Sequence, residues 1–206
     1  MAFQGRVVVV GAKGVVGGEL LSVLSERGVP ADRVTVYGSE RSAGQEVEYG
    51  EEMLEVEAMD ADAFRNAEVV FLAVPADAAR SLAGRAQDAG AWVIDASSTF
   101  RADPGVPLAL PGKRVAPPAR GRVISCASPV SAALVAALEP LHERGLVSAT
   151  VTALLSAGAA GAGGVAELER ETVDLMSGRE PEQRVFPHRL AFNVVPQVGA
   201  MGEGGA

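Results

Sequence analysis

The chain predicts an α/β fold: a doubly wound, mostly parallel sheet followed by part of a second, α+β domain. Three observations carry this expectation. Residues 7–10 are four consecutive valines, which suits a strand buried on both faces. Glycines at 11, 14 and 17 follow, and then Leu20, Leu21 and Leu24 recur at helical spacing. Strand-like and helix-like segments keep alternating through the first half, the pattern of a doubly wound sheet with right-handed crossovers.

The elements follow in order. The first strand over 7–10 leads to a helix over 17–27 that Gly28 ends. A second strand covers 34–38. Residues 46–57 alternate irregularly and read as a hairpin or short edge strands. Pro75 stops a strand over 69–74, and Gly90 closes an alanine-rich helix over 77–89. A strand over 92–95 precedes a Pro/Gly-rich loop over 104–118. A short strand over 123–125 and a helix over 131–144 come next. The character then changes: a strand with threonines over 149–155, an Ala/Gly loop over 156–164, and a helix of mixed charge over 165–176. An extended apolar stretch over 186–198 leads to a frayed end over 199–206. The expected domains are therefore residues 1–128 and an incomplete second domain over 129–206.

Composition bounds the partners. With 206 residues and 48% hydrophobic content, the core is ample for one large domain, or one domain and part of another. A net charge of −8 argues against nucleic acid and anionic membranes. No apolar run is long enough to span a bilayer, and no secretory signal is evident. The lone Cys126 excludes an internal disulfide, and His142 and His188 are too isolated for a structural zinc site. A cytoplasmic protein without a metal is expected.

The glycine loop is a phosphate-binding signature. Gly11 allows a tight turn, Gly14 lets backbone approach a pyrophosphate, and Gly17 lets the helix pack on the strand. Free N–H groups at the helix N-terminus then meet the anion. The candidate cofactor contacts here are Gly11, Lys13, Gly14, Val15, Val16 and Gly17. After the second strand, Ser39, Arg41 and Ser42 fit a ribose 2′-phosphate better than a bare hydroxyl, so NADP is expected in preference to NAD. Two rival readings stand: Glu40 turned inward would select NAD, and Arg41 could be a plain exposed loop cation.

Four segments resemble the aspartate-semialdehyde dehydrogenase family. They are GAKGVVG at 11–17, SERSAG at 39–44, DASSTFRADPGVPL at 95–108 and FPHRLAFNVVPQ at 186–197, in the family's order across nearly the whole chain. The family patterns are GATGAVG, S-x-R-S-A-G, D-N-S-S-x-F-R-x-D-P-x-V-P-L and F-P-x-x-x-A-F-N-x-x-P-Q. The resemblance implies a Rossmann-type NADP-binding domain over 1–128, with a truncated substrate and dimerisation domain over 129–206. It also implies a homodimer, and the phosphate-dependent oxidation of L-aspartate 4-semialdehyde to aspartyl phosphate.

The catalytic positions depart from that pattern. Counting back from Pro140-Leu141-His142 places the family's nucleophilic cysteine at Pro129. Proline offers no nucleophile, so no thioester forms there. Cys126 lies three residues earlier, roughly 10 Å of extended chain, far beyond what reaction geometry tolerates. Its plainer reading is a small buried cysteine. Leu155 occupies the position of the family's orienting glutamine. His142 reads as a helix-end residue, and His188 is no equivalent of the family's catalytic histidine. Arg101 does match the family's phosphate-contacting arginine; the rival reading is an ion pair with Asp103. The chain thus resembles the branch often called USG-1-like, which keeps the fold and lacks the cysteine. The expectation is an NADP(H)-binding homologue without catalytic competence. An active NADP-dependent semialdehyde dehydrogenase using Cys126, and a non-enzymatic interaction module with a vestigial nucleotide site, are the alternatives.

Overall fold

The structure is a computed structural model. It describes residues 5–196 except 116, 117, 119 and 120. The expected frayed end over 199–206 and the last residues of the expected stretch 186–198 lie outside the described residues. The described chain forms a first compact unit through Thr150 and a second from Val151 onward. Helix α3 (Pro129–His142) lies within the first of these units.

The first unit is built on an eight-stranded sheet in the order β3-β4-β2-β1-β5-β6-β8-β7. The strands are β1 (Arg6–Val10), β2 (Val34–Gly38), β3 (Glu46–Tyr49), β4 (Glu52–Ala58), β5 (Ala67–Leu72), β6 (Trp92–Asp95), β7 (Leu108–Ala109) and β8 (Val123–Cys126). Every neighbouring pair is parallel except the β3–β4 hairpin. From β1 the chain winds one way to β2 and the other way to β5, so the sheet reverses direction between β1 and β5. In folds of this kind ligands bind at the carboxyl ends of the strands at that switch point.

The valine run works as its composition demands. Val7 and Val9 pack into one layer with Leu21, Val36 and Val56. Val8 and Val10 pack into the other with Phe64, Val70 and Val93. Helix α1 (Val15–Glu26) seals the first layer through Leu21, and Gly28 ends it at φ +73°. Helix α2 (Ala76–Asp88) turns the small stripe Ala79, Ala83 and Ala86 to the second layer, so helix and sheet approach closely. The hairpin turns at Gly50, φ +62°, and its outer strand β3 alternates exposed Glu46 and Glu48 with buried Val47 and Tyr49. Two residues of the expected loop 104–118 instead form β7, which pairs with β8 at Leu108 and Ser125. So short a strand leaves no periodicity to read.

The second unit departs further from expectation. No strand forms over 149–155: a strand needs a neighbour's ladder, and no other strand is present among the described residues of this unit. The expected Ala/Gly loop is partly helical, with a 3₁₀ turn over Ala157–Ala160 and α4 starting at Gly161 and running to Met176. Residues 186–196 run through bends and turns rather than as a strand. Phe192 and Val194 there are exposed, at 73% and 67%. No helix among the described residues is long and apolar enough to cross a membrane.

Leu21 is wholly buried under α1. Leu21→Ala should cost about 2–5 kcal/mol of stability. Urea unfolding followed through Trp92, the chain's one tryptophan, measures this; an unchanged midpoint would contradict the packing of α1 on the sheet.

Candidate functional site

The glycine loop joins β1 to α1 at the switch point. Gly11 sits at φ +90°, its N–H donating to the Tyr37 carbonyl at 2.9 Å, while Ala73 N–H on the far side donates to Val10 at 2.9 Å. A Cβ on Gly11 would run into the Ala73 carbonyl, and one on Gly17 into the Gly11 carbonyl and Ala12 Cα. Gly14 N–H closes the turn on the Gly11 carbonyl at 3.0 Å. Gly14 is also the N-cap of α1 and supplies no side-chain cap. The first helical bond runs from Gly18 N–H to the Gly14 carbonyl at 2.9 Å, so the N–H groups of Val15, Val16 and Gly17 have no helical acceptor. Val15 and Val16 are exposed. Bare backbone, outward N–H groups and the positive end of a twelve-residue helix fit a pyrophosphate.

Lys13 belongs to the hairpin side of this loop. Its Nζ donates to the Glu46 carbonyl at 3.4 Å. With Gly14, Ser22, Glu48 and Met53 it lines an open cleft of about 560 Å³ between α1 and the hairpin.

The turn after β2 is tightly organised. The N–H groups of Ser42 and Ala43 both reach the Ser39 carbonyl, at 2.8 and 3.1 Å. Ser42 Oγ donates to the same carbonyl at 3.0 Å, and the Ser39 and Ser42 hydroxyls lie 3.1 Å apart. A side chain on Gly38 would collide with Ser42, so this glycine is part of the turn's design. Arg41 is held through its carbonyl by Gln45 Nε2 at 3.0 Å. Its guanidinium is exposed and makes no hydrogen bond or ion pair among the described residues; Glu40 is exposed as well.

At the carboxyl end of β6 lies a half-buried polar network anchored on Asp95, to whose members the sequence assigns no role. Asp95 is fully buried and accepts Ser97 N–H at 3.1 Å and Ser97 Oγ at 2.9 Å. Thr99 Oγ1 lies 3.0 Å from Ser97 Oγ and donates to the Ala76 carbonyl at 2.7 Å. Each hydroxyl has one proton. Ser97 spends its proton on the carboxylate and Thr99 on α2's first residue, so the network ties β6 to the start of α2. Its signal was legible in principle: an aspartate ending a buried strand, followed after Ala96 by three hydroxyl residues.

Arg101 fits neither reading of it exclusively. Its Nε donates to the Cys126 carbonyl and its Nη2 to the Ala96 carbonyl, both at 3.0 Å. It bridges the carboxyl ends of β6 and β8 and leaves three of its five donor hydrogens for other acceptors. The ion pair with Asp103, the rival reading, is not made; Asp103 instead accepts Gly105 N–H at 2.9 Å within its own turn. Burial pushes the Cys126 thiol above its ordinary 9.0, Asp95's charge raises it further, and Arg101 offsets only part of this. The thiol therefore stays protonated at neutral pH. Pro129 begins α3, where a fixed φ and a missing N–H cost nothing, and Ser128 caps the helix by accepting Ser131 N–H at 3.1 Å. His142 ends that helix, as expected. Leu155 and His188 both lie in the second unit and are exposed.

The description "Semialdehyde dehydrogenase, NAD binding domain" matches residues 6–114, and "Semialdehyde dehydrogenase, dimerisation domain" matches residues 138–205. The chain belongs to the semialdehyde dehydrogenase family. Among relatives of this family member, a USG-1 protein homolog of Pseudomonas aeruginosa is 36% identical over 95% of the chain and 59% of the relative. An aspartate-semialdehyde dehydrogenase of Synechocystis is 33% identical over 93% of the chain and 57% of the relative. Among solved structures, a probable aspartate-semialdehyde dehydrogenase from Pseudomonas aeruginosa superposes with TM-score 0.81 and 33% identity, covering 98% of this chain and 62% of that one. Aspartate-semialdehyde dehydrogenase II of Vibrio cholerae, complexed with ASA, gives TM-score 0.83 and 26% identity over 99% of this chain and 62% of that one. The chain thus spans about three-fifths of the length of these relatives.

A protonated, half-buried thiol alkylates slowly. Iodoacetamide modification of Cys126 should be slow at neutral pH and still accelerating at pH 9.0; a rate that levels off near neutrality would mean a stabilised thiolate instead.

Proposed function

We propose that this chain binds NADP(H) at the glycine loop and the turn after β2 and does not catalyse the dehydrogenation its relatives are named for. Residues 1–128 carry the nucleotide and residues 129–206 a partial pairing domain through which two copies form a homodimer; the compartment is the cytoplasm. The observation that carries the catalytic part is Pro129. At the position of the family's nucleophile stands a helix-starting proline, and the thiol three residues away is held protonated by its surroundings. A bound nicotinamide would supply hydride transfer. The chain's own contribution is positional: N–H groups of Val15, Val16 and Gly17 for the pyrophosphate, and the Ser39 and Ser42 hydroxyls with the Arg41 guanidinium for a ribose phosphate. Lys13, already drawn to the Glu46 carbonyl, adds a cation at the loop's edge. With no partner among the described residues, the Arg41 guanidinium favours NADP over NAD, because a planar guanidinium grips a phosphate bidentately. Arg101 keeps donors for a phosphate-bearing ligand while bracing the sheet.

The 33% identity to a protein named aspartate-semialdehyde dehydrogenase favours a second reading, an active NADP-dependent enzyme using Cys126. Fluorescence titration with NADPH and NADH tests the binding. Saturation that prefers NADPH is expected, and Arg41→Ala should weaken NADPH by about tenfold or more while leaving NADH nearly unchanged. No binding of either would leave the interaction module. Turnover of L-aspartate 4-semialdehyde with phosphate and NADP⁺, abolished by Cys126→Ser, would establish the second reading.

A further inference from the structure

We propose that residues 184–191 form a strap latched to α4 by two buried carboxylates, Glu167 and Glu171, and that protonating Glu167 releases the strap and opens the apolar cleft beside it. This rests on the second unit alone and is independent of the nucleotide site.

The two glutamates lie four residues apart on α4, on one face one turn from each other. Both are buried, Glu167 at 1% and Glu171 at 0% exposure. Glu167 Oε2 accepts the N–H groups of Arg184 and Val185, at 2.8 and 2.7 Å, and its Oε1 accepts Phe186 N–H at 3.0 Å. Glu171 Oε2 accepts the N–H groups of Leu190 and Ala191, both at 2.8 Å. Among the described residues the strap has no strand partner; these carboxylates take the place of a ladder. Its Val185, Phe186, Pro187 and Leu190 form one wall of a cleft of about 340 Å³, opposite Leu155 and the 3₁₀ turn. Gly164 makes room for Phe186, whose ring a Cβ at that glycine would press.

The two latches differ in a way that makes the idea testable. Both oxygens of Glu167 already face donors, so an added proton has no acceptor and confronts an N–H group. Glu171 Oε1 is buried without a partner among the described residues. Oε2 alone makes both of this residue's strap bonds, so Oε1 plays no part in the latch. Glu167 is therefore the decisive latch. The charged groups around Glu167 are Arg170 on its own helix, at 3.3 Å, and on the other side Glu182 and Arg184, which pair with each other at 2.6 Å. The 3₁₀ turn carries no titratable residue. Next to Glu171's contacts the strap carries His188 and Arg189. Burial raises the Glu167 carboxyl, but the N–H groups of Phe186, Val185 and Arg184, with Arg170's charge, more than offset it and leave it below its ordinary 4.5. A group depressed on folding holds its structure above the unfolded value, here 4.5, and loses it as pH falls through the folded one.

The experiment is limited trypsin cleavage of the full chain at neutral pH, with Trp92 emission reporting the first unit. Glu167→Gln, which puts an NH₂ among the strap's N–H groups, should speed cleavage after Arg184 and Arg189 by at least about tenfold with the emission unchanged. Glu171→Gln, whose NH₂ fits the free Oε1 position, should change it far less. Equal rates in Glu167→Gln and the unmodified chain, or a larger effect of Glu171→Gln, would overturn the latch. Should Glu167→Gln not fold, acid titration of the unmodified chain decides. Amide exchange, corrected for its intrinsic pH dependence, should lose protection at the five strap N–H groups before Trp92 emission changes. Loss of both together would overturn the proposal.

Discussion

The Gly11 carbonyl fills the space where a side chain on Gly17 would begin, and the Ala73 carbonyl fills the space where one on Gly11 would begin. This contact sets how close α1 comes to β1 and how close β1's end comes to that of β5. The rest of the first unit depends on it. With the helix so near, Leu21 reaches the layer that Val7 and Val9 fill, and the hairpin closes over α1 from the side. The helix's first turn has no side-chain cap because its N-cap is Gly14.

What could be read from the sequence is what local physics determines. Valines at 7–10 encode a strand buried on both faces, glycines at 11 and 17 a close approach, and each lies where its pattern places it. The Ser39-to-Ser42 turn was equally legible, since the hydroxyls needed for it are local. Arg101 was harder. Its acceptors are carbonyls, one five and one twenty-five residues away, and carbonyls carry no side-chain signature. Residues 149–155 have strand composition, yet strand formation belongs to a pair, and the described residues of the second unit, which holds 151–155, offer no second member. The buried glutamates of α4 were invisible for the opposite reason: in a helix of mixed charge they look like solvent-facing residues until the strap is in place.

The two units therefore hold themselves together by different means. In the first, backbone pairs with backbone along seven strand interfaces. In the second, side-chain carboxylates satisfy backbone N–H groups that no sheet receives. A backbone ladder is indifferent to acid; a carboxylate contact is not. The thiol of Cys126 follows the same principle in reverse, because the burial that makes it a good packing residue suppresses its nucleophilicity.

The sheet's two ends bear on how molecules behave in a crowded solution. One end is β7, two residues long, too short to template a neighbour. The other is β3, whose exposed Glu46 and Glu48 belong to a hairpin that also carries Glu51, Glu52, Glu55 and Glu57. Glu46 stands directly across from Glu55, a like-charged pair that weakens the hairpin itself. The hairpin tolerates that local loss, and in exchange the open ladder of β3 repels another copy of itself. Repulsion at this edge is thus electrostatic rather than steric, and it weakens as salt shortens the screening length towards the spacing of adjacent strands.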